Sequence, residues 1–369
     1  MNKLTEVERD LYSLTTEGTH EEIGRQFGSA LSGEIAAQVA RSIARLMERH
    51  EPARIETIIE TVGGNFQHDY PYLWDEIGGI CSGSGVALKD YLTHLFISAV
   101  PVFESDDNDG CTDVLFPKSA DGPLLGKTHD ATSPNRGQAV VRSINPSGGQ
   151  AVLCLSGVDG LSTMTGVNAK GLAVGEASIH FHTSNRRGTV RNLLPRSILQ
   201  ECTNVREAVD FLADHPPLRF GYHFALVDEA GDSAIVERSP AFQSVRWGDG
   251  GILFCTNHTA TPATRALEKS RGELGDRNSD TRFENLKAIT TDSQFSPSLR
   301  TMKEVLQFHH EVAGICQHGD PEYAGPKVEF YPMFTQRAFI NVVETRSLLI
   351  ANGYPCTSEF IDFSLDQEL

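Results

Sequence analysis

A layered α+β fold is what this sequence predicts, on three observations. Residues 1–105 carry apolar positions at helical spacing. After residue 111 the pattern changes to short apolar runs separated by Gly, Asn, Asp and Pro clusters. Helical stretches then interrupt blocks of strands instead of alternating with single strands, the pattern of helices laid over antiparallel sheets.

The elements follow in order. Ile23, Phe27, Leu31, Ile35, Val39, Ile43 and Leu46 recur at threes and fours, which marks one amphipathic helical face. Thr19 is a capping candidate for that helix, with Glu22 as its box partner. Further helices are expected at 51–62, 72–80 and 87–99, with Ser82-Gly83-Ser84-Gly85 as a break. Strands are expected at 112–117, 123–129, 138–144, 150–156, 161–167 and 171–179, then at 221–228, 232–238, 241–247 and 251–256. Turn chemistry separates them, as at Asn145-Pro146-Ser147-Gly148-Gly149. Helices are expected at 189–213, 262–274, 278–290 and 298–313, and a last hairpin at 336–344 and 346–352. No repeat, low-complexity segment or linker divides the chain, so one structural domain is expected.

Composition excludes several classes of function. A formal net charge of −17 lacks the basic footprint that nucleic acid or an anionic membrane requires. No apolar run approaches ~20 residues, so no transmembrane helix is expected. The start, Met1-Asn2-Lys3-Leu4-Thr5-Glu6, has no apolar signal region, and a cytoplasmic location is expected. The seven cysteines are scattered and odd in number, which fits reduced thiols better than a disulfide framework. None forms a CxxC pair, so no structural zinc site is expected. His180 and His182 share a strand face but have no third ligand at fixed spacing, and no metal is assigned to them.

The chemistry is expected at Asp109-Gly110-Cys111-Thr112. Cys111 alone among the cysteines follows a glycine, and it follows a turn-prone acidic run, Glu104 to Asp109, read as an exposed loop. Cutting the Gly110–Cys111 bond would leave a thiol and an α-amine on one residue. An α-amine titrates at about 7.7–8.0, close enough to neutral to act as the base for the thiol. Glycine before the cut has no Cβ to hinder the approach. Other Gly-nucleophile junctions occur at Gly28-Ser29, Gly83-Ser84 and Gly188-Thr189.

Two strand ends add polar groups. Thr128-His129-Asp130 closes one apolar strand, and Asp130 is read as holding the new amine or its proton, against the plainer reading of a strand exit. Cys255-Thr256-Asn257-His258 closes another. Asn257 is read as an oxyanion donor, against the plainer reading of a turn residue; losing one such donor costs about a hundred- to a thousand-fold in rate. Gly122-Pro123-Leu124-Leu125-Gly126-Lys127-Thr128 imitates a phosphate loop, but it has three residues between its glycines, not four, and Pro123 removes a needed N–H.

An ordered set of motifs resembles the acyl-coenzyme A:6-aminopenicillanic acid acyltransferase family, peptidase family C45. These are Glu22-Ile23-Gly24-Arg25-Gln26-Phe27-Gly28-Ser29-Ala30, Asp109-Gly110-Cys111-Thr112, Gly126-Lys127-Thr128-His129-Asp130, Gly166-Val167-Asn168-Ala169-Lys170-Gly171-Leu172-Ala173-Val174, Val236-Glu237-Arg238-Ser239-Pro240 and Thr256-Asn257-His258. The resemblance implies a four-layer αββα N-terminal nucleophile hydrolase sandwich. It also implies self-cleavage into residues 1–110 and 111–369, two fragments that stay associated. By motif position Cys111 would be the nucleophile, Asp130 the family's aspartate and Asn257 its oxyanion asparagine. Thr128-His129 replaces the family's usual Asn-Trp. Phe334-Thr335 stands where the penicillin enzyme has Ser-Arg, and Arg337 would substitute only with a backbone shift. Thr128, His129, His258, Thr335 and Arg337 are therefore the substrate-binding candidates.

The expected activity is hydrolysis of a small linear or cyclic amide through a Cys111 thioester, without a cofactor and without nucleic-acid or membrane partners. The alternatives are an acyl-coenzyme A-dependent N-acyltransferase and an uncleaved binding homologue.

Overall fold

In a computed structural model the described residues are 4–48, 50–97, 110–185, 187–319 and 332–365; the acidic run Glu104 to Asp109 lies outside them. Two strands open the chain, β1 (Thr5–Glu8) and β2 (Leu11–Gly18), followed by helices α1 (His20–Ala30), α2 (Ser32–Met47), α3 (Pro52–Asp69), α4 (Pro71–Ser84) and α5 (Leu88–Leu95). Then come β3 (Gly110–Phe116), β4 (Leu124–Ala131), β5 (Ala139–Pro146), β6 (Val152–Gly157), β7 (Thr163–Asn168) and β8 (Leu172–Ser184). Helices α6 (Leu194–Glu201) and α7 (Val205–Asp214) precede β9 (Arg219–Asp228), β10 (Ser233–Arg238), β11 (Gln243–Trp247) and β12 (Leu253–Cys255). The chain continues with α8 (Pro262–Arg265), α9 (Glu273–Thr290) and α10 (Leu299–Leu306), and then with β13 (Phe334–Val342), β14 (Ser347–Ala351) and β15 (Phe360–Ser364).

The strands form two sheets. Nine run in the order β1-β2-β5-β6-β7-β8-β9-β10-β11, and six in the order β12-β3-β4-β13-β14-β15. Period-two alternation sends neighbouring side chains to opposite faces. Val141 therefore joins Leu115, Leu125, Leu153, Phe339 and Ile350 between the sheets, while Val140 packs outward with Phe27, Ile80 and Tyr91 of the first helices. Helices α6 and α7 cover the same outer face through Ile198 and Leu212. On the far face of the six-stranded sheet, Val114, Phe116 and Ile340 meet Leu286, Met302 and Leu306 of α9 and α10. The result is the expected αββα layering.

Several elements depart from expectation. The opening is not all helical: Leu11 to Gly18 form a strand paired in parallel with β5, from Leu11↔Ala139 to Gly18↔Pro146. Its alternation of buried Leu11 and Ser13 with half-buried Tyr12 is too short to compete with the long helical periodicity beside it. The expected long helix breaks at Leu31 into α1 and α2, and the capping box of Thr19 and Glu22 is present. The helix expected at 262–274 shrinks to Pro262–Arg265, and that at 298–313 stops at Leu306. The β13–β14 hairpin forms, but β15 follows it on the edge.

The motif at Gly24 and Gly28 is explained by packing. A Cβ on Gly24 would lie 2.0 Å from the Glu76 carbonyl oxygen, and one on Gly28 2.3 Å from that of Ile80. Gly79 and Gly83 make the reciprocal approach to Glu21 and Arg25, so α1 and α4 touch backbone to backbone. The junctions Gly28-Ser29 and Gly83-Ser84 thus lie in the last turns of the two packed helices.

Glu76 sits in that contact with no exposed surface, 3.0 Å from Arg142 and 3.3 Å from Arg196. Burial alone would push its carboxyl up, but Arg142 and then Arg196 reverse this and hold it at about 2 against an ordinary 4.5. A depressed carboxyl stabilises the fold above its unfolded pKa and loses that contribution as pH falls, here from about 4.5 to about 2. Glu76→Gln is expected to cost about 3–5 kcal/mol at neutral pH, by leaving buried arginines unpaired. It is also expected to flatten the fall in Tm across that acid window; thermal melts at stepped pH check both. Among the described residues, no helix is long and apolar enough to cross a membrane.

Candidate active site

Cys111 lies on β3, near one end of the six-stranded sheet, with β12 on one side and β4 on the other. Its register partner is His129, while Gly110 faces Asp130 and Thr112 faces Thr128. On the next strand Thr335 faces Asp130 and Arg337 faces His129. Four strands thus bring together residues that are far apart in the chain.

The backbone of Cys111 is held at both ends. Its N–H donates to Asn257 Oδ1 at 2.9 Å. Its carbonyl accepts from Arg282 Nη1 at 2.5 Å, and the same nitrogen donates to Thr112 Oγ1 at 2.8 Å. Arg282 Nη2 donates to Asn257 Oδ1 at 2.7 Å, and its Nε to Asn278 Oδ1 at 3.0 Å. Two donors on Oδ1 fix the orientation of the Asn257 amide. Its Nδ2 donates to the Ser178 carbonyl at 3.1 Å. In this uncut arrangement Asn257 therefore holds the Cys111 nitrogen through its oxygen; its N–H groups, expected to meet an oxyanion, face Ser178.

Asp130 is buried beside Gly110, opposite it in the strand register. A Cβ on Gly110 would meet Asp130 Cβ at 3.1 Å and the Met333 methyl at 2.6 Å. Thr335 Oγ1 donates to Asp130 Oδ1 at 2.6 Å and Gln317 Nε2 to Oδ2 at 2.9 Å, with Thr128 Oγ1 at 3.4 Å. Burial pushes this carboxyl up, opposed first by Arg282 and then by the two hydrogen bonds. Burial likewise lowers the Arg282 guanidinium to about 10, which leaves it charged at neutral pH.

Between the sheets a second charged pair approaches. Lys127 Nζ lies 3.7 Å from Asp113 Oδ1 and donates to the Glu176 carbonyl. Burial opposes its charge, but Asp113, and after it Cys111, favour the ammonium. Lys127 is thus a strand residue in a sheet interior, consistent with rejecting a phosphate loop here.

The other candidates sort by position. Thr128 and Thr335 support Asp130, and His129 stands opposite Cys111. A bulge between Thr335 and Arg337 supplies the backbone shift that Arg337 needs to reach register with His129. Its guanidinium nevertheless binds the carbonyls of Asp10 and Gly137 and Asn352 Oδ1, tying loops together. Arg337 is accordingly a structural clamp. His258 turns to Ser279 Oγ at 2.8 Å and borders a cavity of about 630 Å³ with Arg265, Asp280 and Phe283. Burial, then Arg265, lowers its pKa to about 4, so it is neutral at pH 7. A second cavity of about 310 Å³ reaches Thr335 and Gln336 between Asp10, Arg136, Phe334 and Tyr354. His180 and His182 belong to no grouping of three metal-ligating side chains among the described residues.

Arg282, Gln317 and Ser178 were missed by sequence reading. A signal existed for Arg282: α9 buries Gly275, Asn278, Ser279, Arg282 and Leu286, a mostly polar stripe at helical spacing. A helix that turns polar groups inward is expected to serve buried polar partners. Gln317 and Ser178 carry no comparable pattern.

Comparison with known proteins completes the description. The sequence profile of the family described as acyl-coenzyme A:6-aminopenicillanic acid acyl-transferase matches residues 117–320. The chain is 25% identical over 253 residues to the 40 kDa form of acyl-coenzyme A:6-aminopenicillanic-acid-acyltransferase from Emericella nidulans, covering 66% of this chain and 68% of that one. Among solved structures it is similar to a variant of conjugated bile acid hydrolase from Clostridium perfringens, at 14% identity and a TM-score of 0.44, covering 69% of this chain and 96% of that one. Penicillin V acylase from Agrobacterium tumefaciens is similar at 16% identity and a TM-score of 0.40, covering 70% and 89%.

Proposed function

Because the chain belongs to the acyl-coenzyme A:6-aminopenicillanic acid acyl-transferase family, whose members act on amide bonds, we propose that it cuts its own Gly110–Cys111 bond and then hydrolyses small amides through Cys111. The observation that carries this reading is the grip on the Cys111 peptide: nitrogen on Asn257, carbonyl on Arg282. The nitrogen that would become the catalytic amine is already seated, and the carboxylate of Asp130 flanks the residue it would leave.

In the first reaction Cys111 Sγ attacks the Gly110 carbonyl carbon. The thiol proton passes to the Cys111 nitrogen, the C–N bond breaks and a thioester forms. Water then adds to the thioester, releasing the Gly110 carboxylate and regenerating the thiol. In turnover the free α-amine takes the thiol proton as Sγ attacks a substrate amide, and returns it to the departing amine. Water, activated by the same amine, releases the acid. Oxyanion stabilisation by Asn257 requires its Nδ2 to leave Ser178 once the chain end is free. Thr128, His129 and Thr335 would border the substrate, with the two fragments remaining together as one αβ pair.

Hydrolysis is favoured over transfer because water is always present, whereas transfer needs an acceptor pocket. The printed name of the fungal relative supports an acyltransferase as the second reading. Intact mass spectrometry before and after exposure to a panel of small amides tests the proposal. A 259-residue fragment beginning at Cys111, gaining an acyl mass that disappears on standing, is the expected result. Supplying an acyl-coenzyme A with an amine separates the readings: amide forming faster than free acid would favour transfer. No acylated species with any amide or thioester tested would sink both.

A further inference from the structure

Four metal-ligating side chains converge where the segment after α10 meets the β14–β15 connection. They are His309, Cys316, His318 and Cys356, and their ligand atoms all lie within 4.8 Å of one another. Cys316 Sγ and Cys356 Sγ are 3.7 Å apart. His318 Nε2 lies 3.4 Å from Cys316 Sγ, 3.3 Å from Cys356 Sγ and 3.1 Å from His309 Nε2.

These separations have a simple physical meaning. A disulfide needs sulfurs about 2.05 Å apart, so the two thiols are not bonded. A ring nitrogen offers one proton or one lone pair, so His318 Nε2 cannot make three good hydrogen bonds at once. A tetrahedral zinc ion with Zn–S of about 2.3 Å and Zn–N of about 2.0–2.1 Å spaces its ligands at about 3.8 Å for S···S, 3.5 Å for S···N and 3.3 Å for N···N. The four distances given above fall within a few tenths of an ångström of those figures, and the whole set stays within 4.8 Å.

We propose that His309, Cys316, His318 and Cys356 bind one structural zinc ion. Two thiolates and two imidazoles form a closed four-ligand set that suits zinc over magnesium, calcium or manganese, which take oxygen. Two thiolates also neutralise the dication, at a site where Cys316 is buried, His318 and Cys356 are half-buried and His309 is exposed. The spacing hides the site from a CxxC search, because only Cys316 and His318 are near neighbours, while Cys356 comes from another loop. Other contacts support the same junction. Gln307 Nε2 donates to the Pro355 carbonyl at 2.9 Å, and the Tyr354 ring stacks on His318 at 4.0 Å.

The ion would also have a consequence for the active site. Gln317 lies between two of the ligands, and its side chain donates to Asp130 and accepts from Asn278 at 2.7 Å. Pinning Cys316 and His318 therefore fixes the residue that holds the Asp130 carboxylate.

The test is metal content, read without reference to activity. Full-length protein made in zinc-supplemented medium, purified with reductant and without chelator, is expected to carry about one zinc per chain by mass spectrometry of the elements. Cobalt exchanged into it is expected to give a tetrahedral thiolate spectrum. Cys356→Ser and His309→Gln are each expected to lose both signals, while Cys81→Ser keeps them, with circular dichroism confirming that each variant folds. Zinc at background in the wild-type protein, a Cys316–Cys356 disulfide found by peptide mapping, or full zinc in Cys356→Ser would each overturn the proposal. The wild-type measurement decides even if the variants misfold. It stands apart from the nucleophile assignment, which Cys111→Ala tests.

Discussion

Cys111→Ala is expected to remain a single chain of 40.4 kDa on a denaturing gel, while the wild-type protein separates into fragments of 110 and 259 residues. The substitution removes only the sulfur. Cys111 is buried between the sheets with Leu115 and Leu125, and alanine keeps the Cβ and the backbone bonds to Asn257 and Arg282. The fold should survive, so loss of the cut would report chemistry and not misfolding. The rival junctions Gly28-Ser29 and Gly83-Ser84 lie in the last turns of helices α1 and α4, packed backbone to backbone. Turnover of any amide should fall to background in the same variant. Were Cys111→Ala to yield the same two fragments as wild type, the nucleophile would lie elsewhere. A wild-type chain that stays whole indefinitely would support the uncleaved binding homologue instead.

Arg282→Met should slow both the cut and amide turnover by about a hundred-fold or more, the range seen when one preorganised donor is lost. The guanidinium is fully buried and serves four acceptors: the Cys111 carbonyl, Thr112 Oγ1, Asn257 Oδ1 and Asn278 Oδ1. Methionine fills much of the volume but donates nothing, so the Cys111 peptide and the Asn257 amide lose their common anchor. A shift in the pH profile should accompany the loss. Burial raises the Asp130 pKa and Arg282 is the first of the groups opposing that rise. Without it the carboxyl protonates at higher pH, so an acid limb that depends on ionised Asp130 should move upward. Arg282→Lys keeps the charge but cannot reach all four acceptors, and should restore the pH limb more than the rate. The measurements are the rate of fragment appearance and the pH dependence of amide turnover. Wild-type rates with an unshifted limb would show that Arg282 only packs α9 against the sheet.

Much of this site was legible in one dimension. The Gly110–Cys111 junction, Asp130 and Asn257 each stand at a strand end, where an apolar run stops and polar groups begin, and such ends are local. The parts that the sequence left open share a cause. Asn257 was assigned its donor role by residue type, but an amide has two ends. Only the presence of Arg282 and the Cys111 N–H on the same side decides that the oxygen faces the Cys111 nitrogen. Arg337 looked available for a ligand because its partners, Asp10, Gly137 and Asn352, come from three distant turns. The opening strands were lost to the stronger periodicity of α1 and α2, since β2 joins the sheet only through β5, more than a hundred residues later.

Local chemistry by itself determined most of the strands and helices after residue 111, that the sheets are covered by helices, and which cysteine follows a glycine. Side-chain period, caps and turn residues act within a few positions, so they can be read without a fold. Tertiary structure alone decided what surrounds Cys111 and Asp130. Arg282 reaches the Cys111 carbonyl from 171 residues away, Gln317 reaches Asp130 from 187 and Thr335 from 205. The physical reason is that buried polar groups must find partners wherever the packed sheets bring them, and sequence distance places no limit on that.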